Sequence, residues 1–197
     1  MKHVSLILID AQVGFCTPTG SLGLAYCAEE LSEIKKAIPN IKMALTESYR
    51  RHLVKSEYSE GQFTDGDLAH PLVNLCVPSV NYDCQVIDEL SAIHYHSSTI
   101  KHQQSAMSCK GFRSEIEKDL ELGIRHFVLA GFLLEHCVIS TAMELSNHLS
   151  GSGAEVSVCS DLSASRLQKY SNGTVADTAK TLHESGIEFR SWQSIQT

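Results

Sequence analysis

The 197-residue sequence has no apolar run long enough to cross a membrane or to form a secretory core, since the first, Val4 to Ile9, stops directly at an aspartate. A cytoplasmic location is the expectation. There is no excess of positive charge: 16 Lys and Arg stand against 23 Asp and Glu, for a formal net charge of -7 and a pI near 5.8. A nucleic-acid or anionic-membrane partner, which needs a basic face, is therefore not expected. There is no CxxC pair either, and the 7 cysteines, at positions 16, 27, 76, 84, 109, 137 and 159, form no disulfide framework. In a reducing compartment most of them read as small buried apolar residues. Internal repeats and low-complexity segments are missing. The turn after the first apolar run, Asp10 to Gly20, is neither GxGxxG nor a Walker sequence, which gives a nucleotide- or flavin-binding module little support.

What is present is an ordinary globular composition, 43% apolar and 20% charged, at a length that suits one domain over residues 1–197. Short β-branched or leucine-rich runs alternate with amphipathic stretches, the pattern of βαβ units. Strands are predicted at Val4 to Ile9, Ile41 to Thr46, Ser98 to Lys101, His126 to Ala130, Glu155 to Cys159 and Glu188 to Arg190. Helices are predicted at Ala28 to Ala37, Phe112 to Leu122, His136 to Leu149 and Asn172 to Glu184, ended by Pro39, Gly123, the Gly151-Ser152-Gly153 turn and Gly186. The implied fold is a three-layer α/β/α arrangement on an open, six-stranded, mostly parallel Rossmann-like sheet. Glu47 to Ser97 breaks the rhythm, apart from a short helical pattern near Val86 to Ile93. It reads as a solvated surface excursion, or as a lid or subunit contact that shapes a pocket.

Side chains just past the carboxyl ends of parallel strands converge on one crevice, where ligands bind. Asp10 ends the first strand, Lys101 the third, and Cys137 opens the helix after the fourth. A helix N-terminus and a nearby ammonium favour a thiolate, so the Cys137 pKa is expected to fall. Asp10 would exchange a proton with the thiol, and N–H groups of the Phe132 to Cys137 turn would meet an oxyanion. Lys110 competes for the role of Lys101. Each residue also has a plain structural reading: a first solvent-facing charge after a strand for Asp10, and a core position continued by Val138, Ala142 and Leu145 for Cys137.

The local motifs around these residues carry a resemblance. Leu6-Ile7-Leu8-Ile9-Asp10-Ala11-Gln12-Val13-Gly14-Phe15, then Thr99-Ile100-Lys101 with Ser105-Ala106-Met107, then Phe127-Val128-Leu129-Ala130-Gly131 followed by Cys137-Val138 and Thr141-Ala142, resemble the isochorismatase-like cysteine hydrolases. Asp161-Leu162-Ser163-Ala164-Ser165 is like that family's closing segment. The resemblance implies a catalytic triad of Asp10, Lys101 and Cys137 for amide hydrolysis. It implies an oxyanion turn at Phe132, Leu133 and Cys137 with a cis peptide at Phe132-Leu133, and pocket positions at Gln12, Phe15 and Leu134. It also implies a small-molecule substrate and a homo-oligomer, dimer or tetramer.

Departures narrow the match. The nicotinamidase branch binds a divalent metal through an Asp-x-His pair after the second strand, where this reading finds Thr46-Glu47-Ser48-Tyr49, so no metal and no other cofactor is expected. His52 and His70 read as surface histidines rather than ligands. Leu134 replaces a common threonine and Met107 a common phenylalanine. The isochorismate-cleaving branch lacks the cysteine, so Cys137 points to C–N cleavage of a small amide or ureido compound through a thioester. The alternatives are a protein that keeps the fold for binding or regulation, or a hydrolase of another small-molecule bond.

Overall fold

The computed structural model describes residues 3–79 and 82–197. Its centre is β1 (Val4–Ile9), buried along its whole length, as an interior strand of a parallel sheet must be when both faces are covered. Alternate residues serve the two faces: Leu6 and Leu8 belong to one apolar cluster, Ile7 and Ile9 to the other. Two short helices, α1 (Val13–Cys16) and α2 (Ser21–Tyr26), follow, then α3 (Ser32–Glu47), β2 (Arg50–Ser56), the single turn α4 (Asp88–Ser91) and β3 (Ser97–Lys101). Next come α5 (Lys110–Glu121), β4 (His126–Gly131), a π-helical turn over Leu134–Val138 that runs into α6 (Ile139–His148), and β5 (Glu155–Ser163). The chain closes with α7 (Leu167–Ser171), α8 (Thr174–Glu184), β6 (Glu188–Arg190) and α9 (Trp192–Gln196).

The six strands form one sheet in the order β3-β2-β1-β4-β5-β6, and every pairing is parallel. Residues of α3 and α9 pack on one face, and residues of α5, α6 and α8 on the other. The strand order reverses between β1 and β4, the point at which such sheets open a crevice. Ile9 pairs with Val54 on one side and with Gly131 on the other, and Ser56 pairs with Lys101. The carboxyl ends of four strands are thereby brought level.

The strand predicted at Ile41 to Thr46 is instead the second half of α3. The helix predicted to stop at Pro39 runs through it, because the proline sits on the exposed side while Ile34, Ala37, Ile38, Ile41, Ala44 and Leu45 continue one buried stripe. The true second strand is the polar segment Arg50–Ser56. Its His52 is not a surface histidine: it is fully buried, with Nε2 2.7 Å from Asp119 Oδ2 on α5 and Nδ1 2.6 Å from Ser97 Oγ on β3. Asp119 also accepts from Ser5 Oγ at 2.6 Å and from Arg50 Nε at 2.8 Å, so a buried polar cluster ties β1, β2, β3 and α5 together.

Residues between β2 and α4 are neither wholly solvated nor detached. Tyr58 N donates to Cys76 O at 2.9 Å and Gly61 N to Val73 O at 2.9 Å, and Tyr58, Leu75, Cys76 and Cys84 are buried in the core beside α1. His70 lies in this segment, partly exposed, and its Nδ1 accepts from Leu72 N. Among the described residues no helix is long and apolar enough to cross a membrane.

Candidate active site

Asp10 follows the last residue of β1 with a left-handed backbone, φ 55°, a region that aspartate tolerates better than most side chains. Its N–H stays on the sheet, donating to Val54 O at 2.9 Å. Lys101 ends β3 and is fully buried. Its Nζ lies 2.9 Å from Asp10 Oδ2 and donates to Cys137 Sγ at 3.2 Å. The three side chains that the sequence singled out thus meet in one buried cluster. Exposed Lys110, at the start of α5, has no part in it.

Two further side chains complete the cluster, and the sequence reading had missed both. Lys101 Nζ also donates to Ser56 Oγ at 2.6 Å and to Tyr58 Oη at 3.0 Å. Ser56 Oγ donates to Asp10 Oδ1 at 2.9 Å, and Tyr58 Oη stands 3.5 Å from Cys137 Sγ. A carboxylate can only accept, so the Ser56 proton belongs to Asp10 and the Tyr58 proton is free to face Ser56 or the sulfur. Asp10 Oδ2 has no aligned hydrogen bond; charge alone holds it beside Lys101. That oxygen can take a proton without giving up a hydrogen bond.

The Cys137 thiol does not have the lowered pKa expected from its place near a helix start. Burial and then the Asp10 charge push it up to about 12, against the opposing pull of Lys101 and the Tyr58 hydroxyl. Lys101 loses from burial but gains more from Asp10, Cys137 and Tyr58, and is held above the usual lysine range. The cluster thus sets the Lys101 ammonium beside the Asp10 carboxyl and a sulfur whose thiol form burial favours.

The turn before the sulfur holds a cis peptide at Phe132-Leu133. The Phe132 N–H is engaged by Ile9 O at 3.0 Å, so Phe132 shapes the turn but cannot serve as an oxyanion donor. Leu134 and His136 N–H groups are likewise engaged, whereas Leu133 N–H has no partner among the described residues. Gly131 gives the turn its entry, at φ 116°; a Cβ there would stand 2.0 Å from Ile9 O.

A cavity of about 250 Å³ opens over Cys137, walled by Phe15, Tyr58, Phe63, Leu72, Leu75 and Leu133 among others. Of the three residues named for a pocket, Phe15 lines this cavity. Gln12 and Leu134 do not line it. Gln12 instead brackets the segment after β2, receiving Ser56 N at 2.6 Å and donating to Ser56 O at 2.9 Å and Cys84 O at 3.1 Å. Leu134 points into the core beneath α6, where an apolar side chain gains most.

The isochorismatase domain model matches residues 4–188. This chain belongs to the isochorismatase family. Solved structures agree on the fold. A nicotinamidase/pyrazinamidase of Acinetobacter baumanii superposes with a TM-score of 0.75 at 16% identity, covering 99% of each chain. The yeast nicotinamidase bound to nicotinaldehyde gives 0.73 at 15%, covering 95% of this chain and 99% of that one. An isochorismatase family protein from Desulfovibrio vulgaris gives 0.72 at 15%, covering 100% and 97%. No curated protein sequence matches.

With β2 at Arg50–Ser56, the place after the second strand, where the nicotinamidase branch carries its Asp-x-His pair, is Ser56-Glu57-Tyr58, not Thr46-Glu47-Ser48-Tyr49, which ends α3 and leads into β2. The residues there do not fit a divalent metal. The two hydroxyls are neutral and already bonded to the ion pair, burial raises the phenol further from ionisation, and the described residues hold no group of three His, Cys, Asp or Glu placed to ligate.

Proposed function

We propose that this isochorismatase-family hydrolase cleaves the C–N bond of a small amide or ureido compound through a thioester on Cys137, with no metal in the step. The observation that supports it is the contact of one buried ammonium, Lys101 Nζ, with both Asp10 Oδ2 at 2.9 Å and Cys137 Sγ at 3.2 Å, where Cys137 lines a cavity. As the sulfur attacks the carbonyl carbon, its proton passes to Asp10 Oδ2. The oxyanion forms against the Leu133 and Cys137 N–H groups. When the C–N bond breaks, Asp10 returns the proton to the leaving nitrogen. A water then loses a proton to Asp10 and attacks the thioester, and the carboxylic product departs as the thiol is restored. Lys101 balances the charge that moves between sulfur and carboxylate.

The raised thiol pKa fits this order of events, since the attack is coupled to proton transfer rather than led by a standing thiolate. The same observation favours the rival reading, a binding protein with an inert cysteine. One experiment separates them: the wild type and Cys137→Ala are assayed on a panel of small amides, with mass spectrometry of the wild type for an acyl adduct. Turnover with an adduct in the wild type alone supports the hydrolase. Equal turnover by Cys137→Ala would end this mechanism, and no turnover with no adduct would favour binding.

A further inference from the structure

The charge presented by the cavity wall is positive, in a chain whose overall balance is -7. Arg166 and Lys169, on either side of the start of α7, both line the cavity. The Arg166 side chain is only 11% exposed and is held on two sides. Its guanidinium carbon lies 3.7 Å from the centre of the Tyr26 ring, and Nη1 is 3.3 Å from Glu30 Oε2, an oxygen that also accepts from Gln168 N at 3.2 Å. An arginine fixed in this way has given up its rotamer freedom before a ligand arrives. Glu30 engages one nitrogen, and the other guanidinium donors make no hydrogen bond among the described residues. Lys169, half-buried beside it, has no ion pair among the described residues.

Against these two cations the cavity lining holds one carboxylate, Glu135, so the balance of the lining is positive, with Glu30 paired to Arg166 from outside it. Asp10 is paired with Lys101. The Glu135 side chain is 5% exposed, neither oxygen has a hydrogen-bond partner among the described residues, and His136 Nε2 lies 3.8 Å from Oε1. Phe15, Phe63, Leu72 and Leu75 give the same cavity an apolar wall.

We infer that Arg166, assisted by Lys169, is an anion subsite of the substrate cavity, so that the substrate is a small amide or ureido compound with a carboxylate at the end remote from the scissile carbonyl. Arg166 receives the carboxylate by paired N–H donors, the apolar wall covers a short carbon stem, and the carbonyl reaches Cys137. The inference rests on the reading of this cavity as the substrate site.

The test uses the full chain and four probes: succinamate and glutaramate as anionic amides of two lengths, butanamide as a neutral one and 4-aminobutanamide as a cationic one. Calorimetric binding to Cys137→Ala needs no turnover. At least one anionic amide is expected to bind about tenfold or more tighter than butanamide, with 4-aminobutanamide weakest and the preference shrinking in high salt. Adding Arg166→Met should abolish the preference, and adding Lys169→Ala, a partly exposed site that does not threaten folding, should reduce it about threefold. Equal binding of the anionic and neutral amides, preference for the cation, binding of none of the four, or a preference untouched by both substitutions would overturn the inference. Turnover by the wild type separates the two readings. Selective binding of an anionic amide without hydrolysis removes the amidase reading and keeps the subsite, whereas Cys137-dependent hydrolysis blind to charge does the reverse.

Discussion

Lys101 Nζ lies 2.9 Å from Asp10 Oδ2, yet that oxygen makes no aligned hydrogen bond, so the pair is held by charge. The same negative charge is the second cause, after burial, of the raised Cys137 pKa. Asp10→Asn therefore has two opposite effects. Turnover is expected to fall by about 10²- to 10⁴-fold for loss of the proton carrier. Iodoacetamide labelling of Cys137 at pH 8, followed on its own peptide because Cys27 is exposed and also reacts, is expected to quicken, since removing the anion lowers the thiol pKa. Slower labelling in the variant would mean that Asp10 does not act on the sulfur.

Tyr58 Oη approaches the sulfur to 3.5 Å and is one of the groups holding its pKa down. Tyr58→Phe keeps the ring, which sits edge-on to Phe63 with centroids 4.6 Å apart, and deletes only the hydroxyl. The labelling rate of Cys137, which with a pKa of about 12 should climb about tenfold per pH unit between pH 7 and 10, is expected to fall at every pH in the variant. kcat/KM should drop about tenfold, consistent with one lost hydrogen bond to a charged form. An unchanged rate profile would leave Tyr58 as a wall residue only.

The fold was legible wherever burial is carried by apolar residues. β1 is recognisable because both of its faces are covered, and most of β4 and β5 likewise; β6 is a partly exposed edge strand, legible from its place after the helix end at Gly186. The error at α3 came from weighing one local breaker, Pro39, above a stripe that continues from Ile34 to Leu45 across it. β2 was invisible for another reason: Arg50-Arg51-His52 reads as surface, and His52 becomes a core residue only when α5, 67 positions later, delivers Asp119. Missing β2 hid Ser56 and Tyr58 and misplaced the position compared with the metal-binding branch. Asp10, Lys101 and Cys137 were legible because each stands at a strand or turn end. The thiol pKa was not, because helix position argues one way and burial next to a carboxylate, which only coordinates reveal, argues the other.

The Asp119 cluster makes a stability prediction with a definite sign. Burial raises the Asp119 pKa, but hydrogen bonds and charge from His52, with Ser5 and Arg50, outweigh it, so the carboxyl is held below its ordinary value. A depressed folded-state pKa stabilises the fold at pH values above the unfolded one, near 4, and that contribution is lost as pH falls through the folded value. Asp119→Ala, which strands a buried imidazole and guanidinium, should lower unfolding free energy at pH 7 by about 3 kcal/mol. Urea titrations from pH 7 down to pH 3 check both: the wild type should weaken on acidification and the variant less so, and parallel curves would remove Asp119 as the cause.

Gly131 offers the sharpest separation of fold from site. Its φ of 116° and the 2.0 Å distance from a built Cβ to Ile9 O leave no space for any side chain, and the obstacle is backbone of β1 rather than a movable side-chain tip. Ile9 O is also the acceptor for Phe132 N–H. A methyl group at 131 therefore pushes β4 from β1 at the entry to the turn that leads to Cys137. Gly131→Ala is expected to cost about 2–4 kcal/mol in stability and to abolish turnover even at temperatures where the variant stays folded. Gly153→Ala, also at positive φ (73°) but in open space, controls for backbone strain alone and should cost no more than about 1 kcal/mol with activity kept. Thermal melts beside assays at a temperature well below both midpoints decide the matter: equal losses in the two variants would show that close approach to β1 has no special role.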